Sequence, residues 1–170
     1  MISSAILNIN LIVLSLTLIF ASFASADVIS GRVVGVADGD TITILDGTNT
    51  QHKIRLNGID APEKSQAFGN VSKRSLSDMV FNQQVDVDWL KEDRYGRKVG
   101  KVLLNNEDVN LKQIKRGLAW YFKKYKSDVA QEDRITYVQA QQEAEANKTG
   151  LWVDPNPIPP WDFRKQKKSE

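Results

Sequence analysis

Two β-branched, roughly alternating runs, Val28 to Val36 and Thr41 to Leu45, are separated only by a short segment centred on Asp38-Gly39. This constrains the fold more than any other feature of the chain. Alternation sends successive side chains to opposite faces of a strand, and Asp-Gly between two such runs is a strong hairpin signal. Gln51 to Ile59 reads as a third strand. The period then changes: Phe68, Val71, Leu76, Met79 and Val80 fall on one side of a helix predicted over Gln66 to Phe81. Alternation returns at Val85 to Leu90, with Val85, Val87 and Trp89 on one face, and Arg97 to Leu104 supplies a partner strand across a turn holding Tyr95-Gly96. Five strands and an inserted helix predict a small closed barrel. Asp108 to Arg116 reads as a short helix that Gly117 ends in left-handed conformation, and Gln131 to Asn147 as a longer amphipathic helix ending near Gly150. The proline-rich segment Asp154 to Pro160 is unsuited to a regular helix or a central strand, so it is expected to run extended over the surface.

The first residues belong to a different category. There is no Lys or Arg from Met1 to Gly31, Ile9 to Phe23 is almost continuously apolar, and Ala24-Ser25-Ala26 has the small-x-small pattern of a signal-peptidase site. A signal peptide over residues 1–26, cleaved after Ala26, is the expectation. Because the n-region lacks a basic side chain, an uncleaved membrane anchor stands as the alternative. Both place the rest of the chain outside the cytoplasm, secreted or periplasmic. Residues 27–153 then make one domain, and residues 154–170 a proline-rich and basic C-terminal tail. The chain has no cysteine. An exported domain without disulfides is held by packing, with a bound ion able to add to it, and thiolate zinc sites are excluded. The net charge is only +2, but Lys112 to Arg116, Lys123 to Lys126 and Arg164 to Lys168 gather basic groups into patches of the kind that steer a polyanion. Each run alone reads equally as a solvated helix face or a frayed tail.

Carboxylates and guanidinia then concentrate between Asp38 and Arg97. By itself Asp38-Gly39-Asp40 is a tight turn. Asp60, however, follows the apolar strand Ile54 to Ile59, and Ala61-Pro62 forces the chain to turn there, so its carboxylate sits at a strand end where groups converge. Proline also fixes the backbone that directs the Ala61 carbonyl. Asp40, Asp60 and that carbonyl, completed by water, make a plausible calcium set, since calcium takes oxygen ligands in irregular geometry. Glu63 is placed to serve as a general base on a water; in isolation it reads as a surface residue after a proline turn. Arg55 and Arg97, each in or beside a strand, offer planar forks that grip a phosphodiester at two points and stabilise charge on its oxygens. Tyr121 and Tyr125, set among lysines, are candidates for stacking on bases, whereas Trp89, Trp120, Phe122 and Trp152 are expected to be core residues. His52 is expected to be a half-exposed strand residue.

These residues together carry a resemblance to the staphylococcal nuclease family, also called micrococcal or thermonucleases. The matching segments are Val36 to Thr41, Arg55 to Glu63, Tyr95-Gly96-Arg97, Val109-Asn110, Gly117-Leu118-Ala119 and Gly150-Leu151-Trp152. The resemblance implies an α+β fold, a five-stranded OB-fold β-barrel with three α-helices. It further implies calcium-dependent hydrolysis of DNA and RNA at the 5′ oxygen bond, leaving 3′-phosphate ends. Asp40 and Asp60 then correspond to calcium carboxylates, Ala61 to the carbonyl ligand, Glu63 to the general base, Arg55 and Arg97 to phosphate clamps, and Tyr95 and Tyr125 to tyrosines that contact the nucleotide. The chain departs from the best-known member in three ways: Ala61 replaces a threonine, Lys123 replaces a nucleotide-side tyrosine, which shifts expected contacts toward the backbone, and the segment after Glu63 is shorter. Pro159-Pro160-Trp161 resembles the ending of bacterial relatives. A monomer without a stable protein partner is expected. The rival reading is a noncatalytic OB-fold module that only binds single-stranded nucleic acid, which would have no use for Glu63 or the paired aspartates.

Overall fold

The computed structural model describes residues 27–169; the signal segment expected over residues 1–26 lies outside them. β1 (Asp27–Val36) and β2 (Thr41–Asp46) form the expected hairpin. Its turn needs glycine for reasons of space: a Cβ at Gly39 would lie 1.9 Å from the Ser72 hydroxyl. β2 continues antiparallel into β3 (Gln51–Leu56). The run expected to extend to Ile59 is interrupted because Gly58 takes φ +70° and the Asn57 N–H turns to the Gly100 carbonyl, 2.8 Å away. β4 is therefore a separate pair of residues, Ile59–Asp60.

α1 (Gly69–Val80) starts three residues later than its periodicity predicts, after Phe68 enters left-handed conformation at φ 64°. It buries Ser72, Leu76 and Val80, while Val71, expected on the same face, is 53% exposed. β5 (Gln84–Glu92) returns antiparallel to β1 with Val85 and Val87 inside, as alternation predicts, and β6 (Lys98–Leu104) pairs with β5. A parallel pairing of β3 with β6, Arg55 opposite Val99, closes the five strands into a barrel.

β7 (Glu107–Asp108) leads into α2 (Val109–Lys115), whose first turn is capped by the Asp108 carboxylate accepting from the Leu111 N–H at 2.9 Å. Gly117 ends it at φ 62°, as expected. β8 (Trp120–Tyr121) pairs with β4, and α3 (Gln131–Ala146) packs on α2, with the Tyr137 hydroxyl donating to Asp108 at 2.8 Å. The core fills the barrel and the space under these helices: Val33, Ile42, Ile54, Leu76, Val102 and Tyr137 have no exposed surface. A buried amide holds barrel to helix, since the Asn110 side chain donates to the Asn57 carbonyl at 3.0 Å and accepts from the Val102 N–H at 3.2 Å. The result is the expected α+β arrangement of OB type, with one addition. Asp154 to Pro159 is irregular, as its prolines require, but Pro160–Gln166 forms a fourth helix, α4, with proline at its first position.

The turn between β2 and β3 carries a pH-dependent element. Asp46 accepts from His52 at 2.8 Å and from the N–H groups of Thr48 and Thr50 at 2.8 and 2.9 Å. The His52 bond, with these others, holds the Asp46 carboxyl well below the ordinary carboxylate range. Its folded value is below its unfolded one, so the stability it adds is present above about pH 4 and is lost as pH falls through the folded value. Asp46→Asn is expected to melt at a lower temperature at pH 7 and to lose stability less steeply than the parent between about pH 4 and pH 2. Identical slopes in thermal melts would remove Asp46 from the acid response.

Candidate active site

Four pieces of backbone bring the candidate residues to one place. The β1–β2 turn presents Asp40, whose carbonyl accepts from the Leu56 N–H at 2.9 Å and so ties the turn to β3. β3 supplies Arg55. The β4–β8 ladder, Asp60 opposite Trp120, holds Asp60 at the strand end where Pro62 turns the chain away. Glu63 follows in a turn closed by the Gln66 side chain, which accepts from the Glu63 N–H at 3.1 Å. The start of α1 packs so closely on this turn that a Cβ at Gly69 would lie 1.9 Å from the Glu63 carbonyl oxygen.

The charges are linked. Arg55 reaches Asp40 at 2.9 Å and Asp60 at 3.0 Å, bridging two carboxylates that are 5% and 1% exposed. Asp40 also accepts from the Ala61 N–H at 2.6 Å and the Thr41 hydroxyl at 3.2 Å. Arg97 Nη1 lies 3.5 Å from that same hydroxyl, and its fork is held by Asp93 at 2.7 and 2.8 Å. Burial alone would raise the Asp93 carboxyl, but the bonds from Arg97 and from the Arg97 and Tyr95 N–H groups outweigh it and hold the group below its ordinary value. Arg55 is thus committed largely to the carboxylates, whereas Arg97 is positioned from behind with its outer edge toward Thr41.

The two buried carboxylates share the partly buried Arg55 guanidinium, and Asp60 also meets Arg164. Burial pushes the Asp40 carboxyl up to about 8; Arg55 pulls it down, while Asp38 and Asp60 add to the rise. Paired carboxylates of this kind have the chemistry to take a divalent cation. Asp40, Asp60 and the Ala61 carbonyl supply oxygen only, and among the described residues no further acidic or histidine side chain gathers with them into a metal cluster. That donor set fits a hard cation that keeps several waters, and calcium tolerates the irregular arrangement better than magnesium.

The aromatic candidates divide. Tyr95 is 67% exposed and lies against the guanidinia of Arg94 and Arg97, with its ring centre 4.9 and 5.5 Å from them. Tyr125 and Lys123 are exposed in the helical turn Lys123–Asp128. Tyr121 does not fit a base-stacking role: it is buried at the β4–β8 ladder with its ring edge-on to Tyr137, 5.9 Å between centres. Its place in a strand paired to Ile59 puts the ring inward, which the lysines that follow it in sequence concealed. Trp152 is buried, and Trp120 packs against it, as expected of core residues.

Two residues of the tail complete the site, and sequence reasoning missed both. Trp161 stacks on Phe122, 5.1 Å between centres with the planes 15° apart, and meets Trp120 edge-on at 5.6 Å. One turn later Arg164 sends a fork into the carboxylates, reaching Asp60 at 2.7 and 3.2 Å and Glu63 at 2.7 Å. These bonds, Asp60 first, raise the Arg164 guanidinium further above its already high range. The available signal was proline at a helix start, Asp162 in the first turn and Arg164-Lys165 in the last, which together mark a short helix.

Comparison with known proteins adds an independent line. A family model described as staphylococcal nuclease homologue matches residues 53–154, a span that includes Arg55, Asp60, Ala61, Glu63 and Arg97 but not Asp40 or Arg164. The chain is 43% identical over 164 residues to a Haemophilus influenzae protein named "Uncharacterized endonuclease", covering 95% of this chain and 89% of that one. It is 37% identical over 158 residues to Protein ParB of Escherichia coli, covering 88% and 86%. With Micrococcal nuclease of Shigella flexneri it shares 34% identity over 175 residues, covering 98% and 97%.

Proposed function

The chain belongs to the staphylococcal nuclease family, and from that premise we propose that this nuclease is a calcium-dependent phosphodiesterase that cleaves DNA and RNA and leaves 3′-phosphate ends. The observation that carries the reading is the continuous set of contacts joining Asp40, Arg55 and Asp60, with Arg97 reaching it through Thr41 and Glu63 beside Asp60. Asp40, Asp60 and the Ala61 carbonyl would hold the cation, which when bound supplies positive charge to the phosphate and neutralises the buried carboxylates. Glu63 accepts the proton of an attacking water as its oxygen bonds to phosphorus. The bond from phosphorus to the 5′ oxygen breaks, the departing oxygen takes a proton from solvent water, and the products are a phosphate on the 3′ side and a 5′ hydroxyl. Arg97 holds the phosphate and stabilises the charge that grows on its oxygens, with Asp93 fixing the fork. Arg55 sets the spacing of the two aspartates and keeps part of its donor capacity for the phosphate. Tyr95 and Tyr125 offer exposed rings to bases, and Lys123 a charge to the backbone. None of these contacts reads a base edge, which supports indifference to sequence. The features of residues 1–26 support secretion or a periplasmic location, and a monomer suffices because every site residue comes from one chain.

The test is digestion of heat-denatured DNA, duplex DNA and RNA with calcium and with excess chelator, followed by end-group analysis. Calcium-dependent cleavage to 3′-phosphate ends establishes the reading. Binding to single strands without cleavage under any divalent metal would make the chain a noncatalytic OB module instead. Arg97→Lys is expected to lower turnover by about 10²-fold, because a point charge cannot reproduce the planar fork. Near-parental turnover in that variant would take Arg97 out of the mechanism.

A further inference from the structure

The tail helix places a cation of its own at the site. α4 is anchored beside the catalytic turn at three points. Trp161 stacks on Phe122, the Gln66 side chain donates to the Ile158 carbonyl, and Lys167 reaches the Ser65 hydroxyl at 3.2 Å. Arg164 lies on the face this docking turns inward. Asp60 Oδ1 receives N–H donors from both Arg55, at 3.0 Å, and Arg164, at 3.2 Å, so both of its lone pairs are engaged. Oδ2 receives Arg164 Nη2 at 2.7 Å. A divalent ion drawn to Asp60 therefore meets a unit positive charge already in hydrogen-bond contact with both oxygens. The same guanidinium donates to Glu63 Oε1 at 2.7 Å, taking up one of the lone pairs that the general base would offer to water. One side chain thus engages a metal ligand and the general base together.

We infer that Arg164 competes intramolecularly with the divalent cation for these carboxylates, holding Asp60 and Glu63 inactive until metal displaces the fork and α4 swings away. The inference rests on the cation-dependent reading above. The competitor is covalently tethered, so its local concentration stays high at any dilution of the protein, on the order of millimolar for a short linker. Arg164 is 42% exposed, and Trp161, Asp162 and Phe163 are only partly buried, which makes α4 a segment able to open locally while the barrel stays folded. The exchange also raises the calcium concentration at which the site fills, since metal must outcompete a bidentate ion pair before it can bind.

Calorimetric titration of the full chain with calcium, in the absence of nucleic acid, tests this directly. Arg164→Ala is expected to bind calcium about 5-fold or more tightly than the parent, within the usual span of coupling between sites. Trp161→Ala, which removes the aromatic anchor and leaves every charge in place, is expected to shift in the same direction. In the parent, calcium is expected to speed amide hydrogen exchange across residues 161–166. Equal affinity in parent and both variants, or calcium that slows exchange in α4, would overturn the competition. Weaker binding in Arg164→Ala would do so as well, by making Arg164 a support of the metal site. If neither parent nor variants bind a divalent ion, the cation-dependent reading falls and takes this inference with it.

Discussion

Glu63→Gln is expected to lower kcat on single-stranded DNA at saturating calcium by about 10²- to 10⁴-fold, the usual cost of losing a positioned general base. The substitution keeps the shape of the side chain and its capacity to accept a hydrogen bond. It removes the group that can take the water proton at neutral pH. The fold does not depend on it: the Glu63 side chain is partly exposed, and the turn around it is set by backbone bonds to and from Gln66 and by the close approach of Gly69. An intact melting temperature with unchanged KM and collapsed kcat is the expected pattern. A loss smaller than tenfold would leave Glu63 without a role in proton transfer.

Arg55→Met is expected to act on stability as well as on rate. It leaves Asp40 and Asp60 buried without the guanidinium that bridges them, and breaking a buried pair in this way costs about 3 to 5 kcal/mol. The lower end applies here, because an Asp40 carboxyl raised to about 8 can take up a proton instead of remaining an isolated charge. Urea unfolding with chelator present reads the loss. Adding calcium is expected to recover part of it, since an ion bound only by the folded state stabilises that state by mass action. A loss below about 1 kcal/mol would show that water or Arg164 replaces Arg55 at the carboxylates.

Much of the fold and site was legible in the sequence because the governing signals are local. Alternation at Val85 and Val87 located β5, the Asp38-Gly39 turn located the first hairpin, and Gly117 ended α2 as its conformation requires. The errors came where a contact distant in sequence decides the outcome. Gly58 breaks the third strand because Asn57 is needed by Gly100 and Asn110, and neither demand is visible from the strand itself. Tyr121 is turned inward by pairing with β4, so the lysines beside it say nothing about its ring. For the site, Asp40, Asp60, Glu63, Arg55 and Arg97 stood out by residue type and spacing. Arg164 did not: 101 residues separate it from Glu63, and the docking of the tail through Trp161, Ile158 and Lys167 brings them together.

The seam that closes the barrel has a consequence in time. Arg55 lies on one side of the parallel β3–β6 pairing and Arg97 immediately precedes the other, with all of α1 and β5 between them in the chain. Pairing strands so far apart carries a loop-closure cost that nearby hairpins avoid, so this contact is expected to form late. Activity in a refolding experiment should accordingly return with the slowest phase, and its return ahead of barrel closure would contradict that order. Until the seam closes, Arg55 and Arg97 stay on separate pieces of chain, so a partly folded molecule lacks the assembled site and gains it only with the last step of folding.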